Sequence, residues 1–150
     1  MTDDDIYYVT REDEKVDEET IHSFVELLHK YLNDFISKDP LRRDVIYCFE
    51  QGRTVAAYHE DRLVGAVVGV HTPFFEKFHI AHIAVEEDYR NRGIGKGLTE
   101  RVIPEGANAS VHLNVDNPEI ISFYKELGFK LTHERLISGL TDDGSKKPSD

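Results

Sequence analysis

The chain has one cysteine, one methionine and no tryptophan. A single cysteine excludes an internal disulfide and fits a reducing compartment, so a cytoplasmic location is expected. Cys48 lies in "DVIYCFEQ", among apolar residues, the setting of a small core residue rather than a nucleophile. No apolar run approaches the roughly 18 residues that cross a bilayer, so a membrane is not an expected partner. The opening "MTDDDIYYVTREDE" is acidic and lacks the apolar stretch of a secretory signal. Positive charge is also scarce: 18 Lys and Arg against 29 Asp and Glu leave a net charge of −11. Non-specific nucleic-acid binding needs a basic surface to neutralise phosphates, so nucleic acid is not an expected partner either.

The acidity is uneven. Nine acids against Arg11 and Lys15 give −7 within the first twenty positions, whereas residues 21–140 carry only −3. An acidic rim favours a cationic substrate such as an amine; a solvated acidic tail that aids solubility accounts for the same charges. With 39% hydrophobic and 31% charged residues, 150 positions suit one globular domain spanning 1–150. Its acidic segment 1–19 and polar tail 141–150 are expected to be flexible.

In "EETIHSFVELLHKYLNDFIS", Ile21, Val25, Leu28, Leu32 and Phe35 recur at helical spacing, and Phe24, Tyr31 and Ile36 widen the stripe. "DPLRRDVIYCFEQG" reads as a shorter helix, with Asp39 as N-cap, Pro40 in its first position and Gly52 at its end. "RTVAAYHEDRLVGAVVGVHT" is a hairpin turning at Glu60-Asp61, and "FHIAHIAV" is a further strand. A helix must end before Pro104. "ASVHLNV" then reads as a strand, "NPEIISFYKELGF" as a helix and "KLTHERLIS" as a last strand. The first half is antiparallel and the second contains a βαβ crossover. The expected fold class is α/β (α+β), with a mixed, mostly antiparallel sheet.

"DYRNRGIGKGL" sets three glycines and three cations at a helix entrance. A phosphate-loop reading fails because Gly95-Lys96 is followed by Gly97 and no glycine stands at the earlier required position. A dinucleotide reading needs G-x-G-x-x-G tight against a strand. Asp116 is a suitable acid, but the glycines run G-x-G-x-G and "EEDYRNR" separates them from Val85. That leaves R-x-x-G-x-G, at Arg90, Gly93 and Gly95, as an anion site on helix amides, with charge from Arg90, Arg92 and Lys96. Each helical glycine costs about 1 kcal/mol relative to alanine, which argues for close approach of a ligand.

Together, "IAVEEDYRNRGIGKGL" and "LNVDNPEIISFYKELGF" resemble the Gcn5-related N-acetyltransferase (GNAT) superfamily. The second block matches that family's pattern at Asn117, Phe123, Tyr124, Gly128 and Phe129, with Ile120 where the family has alanine. The resemblance implies a fold in which acetyl-CoA enters a gap between two splayed parallel strands, here 77–85 and 110–115, with helices on both faces of the sheet. It implies pyrophosphate on the segment Arg92, Gly93, Ile94, Gly95, Lys96 and Gly97, with Arg90 and Asn91 preceding it. The pantetheine arm would pair with the backbone of Ile83, Ala84 and Val85, and Asn117 would contact that arm or cap the next helix. The implied activity is acetyl-CoA-dependent transfer to a primary amine, with Tyr124 as general acid.

The general base stays open among His79, His82, Glu86 and Glu87. On a regular strand, His82 and Glu86 share one face and His79 and Glu87 the other, which splits the two histidines and leaves no metal site expected. Phe74, Phe75 and Phe78 line an acceptor pocket, belong to the core, or form an edge that pairs with a second subunit in a homodimer. Two other functions remain beside the transferase: a non-catalytic acyl-CoA sensor and, more distantly, a dinucleotide-binding oxidoreductase.

Overall fold

The computed structural model describes residues 5–73, 77–111 and 118–130. They belong to two compact units, one ending at Val111 and one beginning at His112. The first unit runs β1 (Ile6–Glu12), α1 (Glu18–Leu32), α2 (Lys38–Gln51), β2 (Gly52–His59), β3 (Arg62–His71), β4 (Lys77–Val85), α3 (Ile94–Val102) and β5 (Asn108–Val111). Its five strands lie side by side in chain order. Every neighbouring pair is antiparallel except β4 and β5, which are parallel.

Asp17 starts α1, its carboxylate accepting the Thr20 N–H at 2.9 Å, a standard N-cap bond. Ile21, Phe24, Val25, Leu27 and Leu28 then face Leu41, Val45, Cys48 and Phe49 of α2 over Ala56, Ala66, Val68 and Ala84 of the sheet. The apolar stripe does not continue to Phe35: α1 stops at Leu32, and Phe35 is 67% exposed. In α2 the N-cap is Ser37 rather than Asp39, so Pro40 sits in the first turn, where its missing N–H has no helical partner to lose. Cys48 lies in the core as expected; burial, with Asp44 nearby, pushes its thiol up to about 12.

The opposite face of the sheet carries α3. Residues alternate along β3, so Ala66 and Val68 meet α1 and α2 while Gly65 faces Ile94 and Leu98 of α3. Phe78 is fully buried beneath Gly69, which makes it core rather than pocket lining. Phe74 and Phe75 lie outside the described residues.

Not all of the acidic N-terminus is a flexible tail. Ile6–Glu12 is an edge strand paired with β2 from Ile6↔His59 to Glu12↔Arg53, and Tyr7 stacks on Tyr58 at 5.4 Å. The β-rich run Ile6-Tyr7-Tyr8-Val9-Thr10 carries this strand; the acids on either side of it dominated the charge count.

In the second unit, α4 (Pro118–Glu126) ends at Gly128, whose φ of +101° is the left-handed region that suits glycine. That turn lets the Phe129 N–H reach the Tyr124 carbonyl at 3.0 Å. Asn117 and the predicted last strand beyond residue 130 lie outside the described residues.

A Cβ at position 69 would stand 2.5 Å from the Phe78 ring and 2.7 Å from the His79 carbonyl. Gly69→Ala is therefore expected to cost about 1–3 kcal/mol, the usual range for overpacking. The measurement is the urea midpoint; a midpoint equal to the parent's would show that the ring has room to move aside.

Candidate active site

Strand β4 is not regular. Val68 pairs with His82 and Gly69 with Ile80, so Ala81 has no partner residue in β3. This bulge changes the phase of the strand. Val70, opposite His79, and Ala81 both pack against the α1–α2 core, and Val68, opposite His82, belongs to it. His79 and His82 therefore share the α1–α2 face. The expectation that they point to opposite faces is overturned by the one extra residue between them.

The bulge also lies one residue past the described pairing of β4 with β5. Pairing with β5 runs from Lys77↔Asn108 to Ile80↔Val111, where the described part of β5 ends. Farther along, the Glu86 N–H donates to the Val64 carbonyl at 2.8 Å. Main-chain groups alternate in direction along a strand, so those of Ala84 and Glu86 face β3, and those of Ile83 and Val85 face the opposite edge. Ala84 itself is buried, while Ile83 and Val85 are half-buried.

Beyond β4 the chain makes a short 3-10 turn, Glu87–Tyr89, and then enters α3. Asn91 and Gly93 both adopt positive φ, +65° and +83°, which asparagine tolerates and glycine adopts freely. Gly93 is the N-cap of α3, and no side chain caps that end. The first helical bond runs from the Gly97 N–H to the Gly93 carbonyl at 2.9 Å, which leaves the amides of Ile94, Gly95 and Lys96 without an intrahelical acceptor. No acid stands in the first turn. Such an end attracts anions.

The glycines do not all serve one purpose. A Cβ on Gly97 would strike the Tyr8 hydroxyl at 2.5 Å and lie 3.2 Å from Arg101, whose guanidinium sits 3.9 Å over the Tyr8 ring. Gly97 is thus required by packing of α3 on β1. Gly93 is required by its backbone angle, since nothing lies within 4 Å of its Cβ position.

Arg90 acts on the loop itself. Its Nε donates to the Val85 carbonyl at 3.0 Å, and its guanidinium lies 4.6 Å over the Tyr31 ring. Arg92 lies 5.0 Å over Tyr89, whose hydroxyl is 2.7 Å from His59 Nδ1. Lys96 is exposed.

Glu86 anchors the same loop to α1. Its Oε1 accepts from Lys30 Nζ and from the Tyr31 hydroxyl, each at 2.8 Å, while Arg62 lies 3.7 Å from Oε2. The Tyr31 oxygen in turn accepts the Glu87 N–H at 2.9 Å. Burial alone would raise the Glu86 pKa, but the bonds from Lys30 and Tyr31 outweigh it and hold the carboxyl below its ordinary value. A carboxylate held in this way is a poor proton acceptor, so Glu86 suits an anchor rather than a base. Neither Tyr31 nor Lys30 carried a sequence signal for this contact; Tyr31 read only as the margin of an apolar stripe.

The two histidines have different partners. His79 Nδ1 lies 3.1 Å from Ser110 Oγ on β5. His82 Nε2 lies 2.9 Å from Asp44 Oδ2 on α2. Among the described residues, no three His, Cys, Asp or Glu side chains gather as a metal site.

In the second unit Tyr124 is the one buried residue of α4, 4% exposed, with Phe123 and Phe129 edge-on to its ring at 5.0 and 5.3 Å. Its hydroxyl is buried with no hydrogen-bond partner among the described residues. Burial pushes its pKa up to about 12.

Residues 21–129 match the sequence profile of the acetyltransferase (GNAT) family. The chain belongs to that family. It is 27% identical over 113 residues to the peptidyl-lysine N-acetyltransferase YjaB of Salmonella typhimurium, an alignment covering 75% of this chain and 66% of that protein, just under two thirds of its length. It is 32% identical over 124 residues to N-alpha-acetyltransferase 30 of Schizosaccharomyces pombe, covering 71% of this chain and 83% of that one. Among solved structures, Arabidopsis thaliana Naa50, in complex with the bisubstrate analogue CoA-Ac-MVNAL, shares the fold. Its TM-score is 0.66 at 24% identity, with 85% of each chain covered. The mixed sheet with one parallel pair is accordingly a GNAT fold.

The GNAT loop's anchor is testable through pH. Glu86→Gln is expected to lower stability by about 2 kcal/mol near pH 7, the scale of hydrogen bonds to a charged group. Because the folded-state pKa is depressed, this contribution is complete above the ordinary value of 4.5 and fades as pH falls through the lower folded value. Urea midpoints of parent and variant should converge below pH 4.5; a gap that stays constant with pH would assign the loss to packing instead.

Proposed function

We propose that this protein transfers the acetyl group of acetyl-CoA to a primary amine, with both substrates held together on β4. The observation that carries the reading is the meeting, at one end of β4, of a strand edge facing away from β3 and a helix N-terminus with no side-chain cap. The first suits a ligand that pairs like an added strand, as the amide-bearing pantetheine arm does. The second suits a pyrophosphate. Family membership supports the same donor.

Ile83 and Val85 hold the arm through their main chains, and the amides from Arg92 to Lys96 receive the pyrophosphate, the Gly97 N–H being bonded to the Gly93 carbonyl. Arg90 shapes the loop, by way of Val85 and Tyr31, as well as adding charge. The bound thioester supplies an activated acetyl group. An amide on the edge facing away from β3, such as the Ile83 N–H, stabilises negative charge on the acetyl oxygen. Holding two substrates side by side supplies much of the acceleration by proximity.

Tyr124 is the proton donor to the departing sulfur. Its raised pKa keeps the phenol protonated throughout the neutral range, and a buried hydroxyl with no described partner is suited to a substrate atom. The relatives named above act on amines of peptides or proteins, so peptide amines lead the acceptor panel, with polyamines and small amines beside them.

The test is CoA release over that panel, with acetyl-CoA binding measured in parallel. Release with at least one amine is expected. Binding without release from any acceptor would make the protein an acyl-CoA sensor. Tyr124→Phe is expected to lower kcat about 100-fold. Its acetyl-CoA affinity and stability should be unchanged, since the hydroxyl has no hydrogen-bond partner among the described residues to lose. An unchanged kcat would remove Tyr124 from the chemistry.

A further inference from the structure

On the transferase reading above, we infer that His82 is the proton acceptor for the incoming amine and that Asp44, on α2, is the positioning residue that prepares it. His82 lies immediately after the bulge, just beyond the last residue of β4 that pairs with the described part of β5. It therefore stands beside the edge assigned to the thioester arm. Its side chain is 17% exposed, mostly covered yet open to a substrate.

Asp44 fixes the chemistry of the ring. With Oδ2 2.9 Å from Nε2, the carboxylate accepts the Nε2–H of the neutral imidazole, which leaves the lone pair on Nδ1. The same carboxylate stabilises the imidazolium that forms when Nδ1 takes a proton. Asp44 is placed for this by the register of α2. Leu41, Val45, Cys48 and Phe49 form the buried stripe, and Asp44 lies at its margin, three residues after Leu41 and four before Cys48. Its charge also bears on the Cys48 thiol, after burial itself, so its field reaches into the α2–sheet interface.

Two of the other candidates are engaged elsewhere, and the third, Glu87, is exposed beyond the end of β4. Glu86 is held by Lys30 and Tyr31. His79 has the Ser110 hydroxyl at its Nδ1, on the segment where β4 still pairs with β5. In the transfer, one proton of the substrate ammonium goes to His82 Nδ1 and its nitrogen then bonds to the acetyl carbon as the carbon–sulfur bond breaks. The departing sulfur takes up the nitrogen's second proton. The proton on His82 leaves to water.

The alternative role for the pair is a structural tie between α2 and β4, and the experiment separates the two. Asp44→Asn, Asp44→Glu, His82→Gln and the Asp44→Asn/His82→Gln double variant are compared for kcat, KM of each substrate, acetyl-CoA binding and thermal midpoint. Asp44→Asn is expected to lower kcat at least 10-fold, with acetyl-CoA binding within twofold of the parent, and Asp44→Glu to recover part of the loss. His82→Gln should lower kcat further, and the double variant should be no slower than His82→Gln alone, because Asp44 acts only through that ring. Losses that multiply, or a fall in thermal midpoint with kcat within twofold, would overturn the proposal while the transferase reading stands. A parent protein that binds acetyl-CoA but releases CoA with no amine overturns the transferase reading, and the proton-acceptor role with it.

Discussion

One residue without a partner in β3, Ala81, decides how β4 presents itself. A regular strand would have carried His79 and His82 on opposite faces and kept a constant pleat against β3. The bulge turns both histidines toward α1 and α2, beside Ala81 and Ala84. Its position matters as much as its existence. It falls one residue after Ile80, the last β4 position paired with the described part of β5. The strand is thus re-phased just past its described pairing with β5, and the bulge gives it one face that offers both imidazoles.

The remainder of the first unit keeps that edge in place. From the end of β4 the chain must turn into α3 without covering the helix amides. Glu86 ties the turn to Lys30 and Tyr31 of α1, Tyr31 accepts the Glu87 N–H, and Arg90 closes back on Val85 while lying over the Tyr31 ring. A single α1 tyrosine thereby meets both an acid and a base of the loop. Each bond is modest, about 1 kcal/mol or somewhat more where a charge takes part. Because they share partners, loosening one loosens the others.

The fold was legible where local patterning agreed with tertiary demand. The α1 stripe, the hairpin at Glu60-Asp61, the helix ahead of Pro104 and the parallel pairing of β4 and β5 follow from apolar period, turn residues and connection length. The glycine-rich loop ahead of α3 was legible because its geometry imposes residue types: Gly93 sits at positive φ. Gly97 shows the limit of that reasoning, since its missing side chain makes room for Tyr8, a strand residue hidden within an acidic stretch. Ala81 carries no signal of its bulge, because an alanine in a strand reads like any other. Phe35 continued a helical period that the chain abandons at Leu32. A period shows where a helix would bury its face, but not where tertiary packing stops asking for one.

These differences follow how each half of the candidate site is built. The proposed donor side rests on main-chain amides and carbonyls, so its requirements fall on backbone angles and appear as glycines and spacing within one continuous segment. The acceptor side rests on side chains brought together from distant elements, and Asp44 with His82 are 38 positions apart. Nothing in a helix called "LRRDVIYCF" marks which of its polar residues will lean over a strand. Only the packing of α2 on the sheet does so, and the bulge then decides which strand residue it meets. The proposed Asp44–His82 pair belongs to the second half, which no single segment of the sequence spells out.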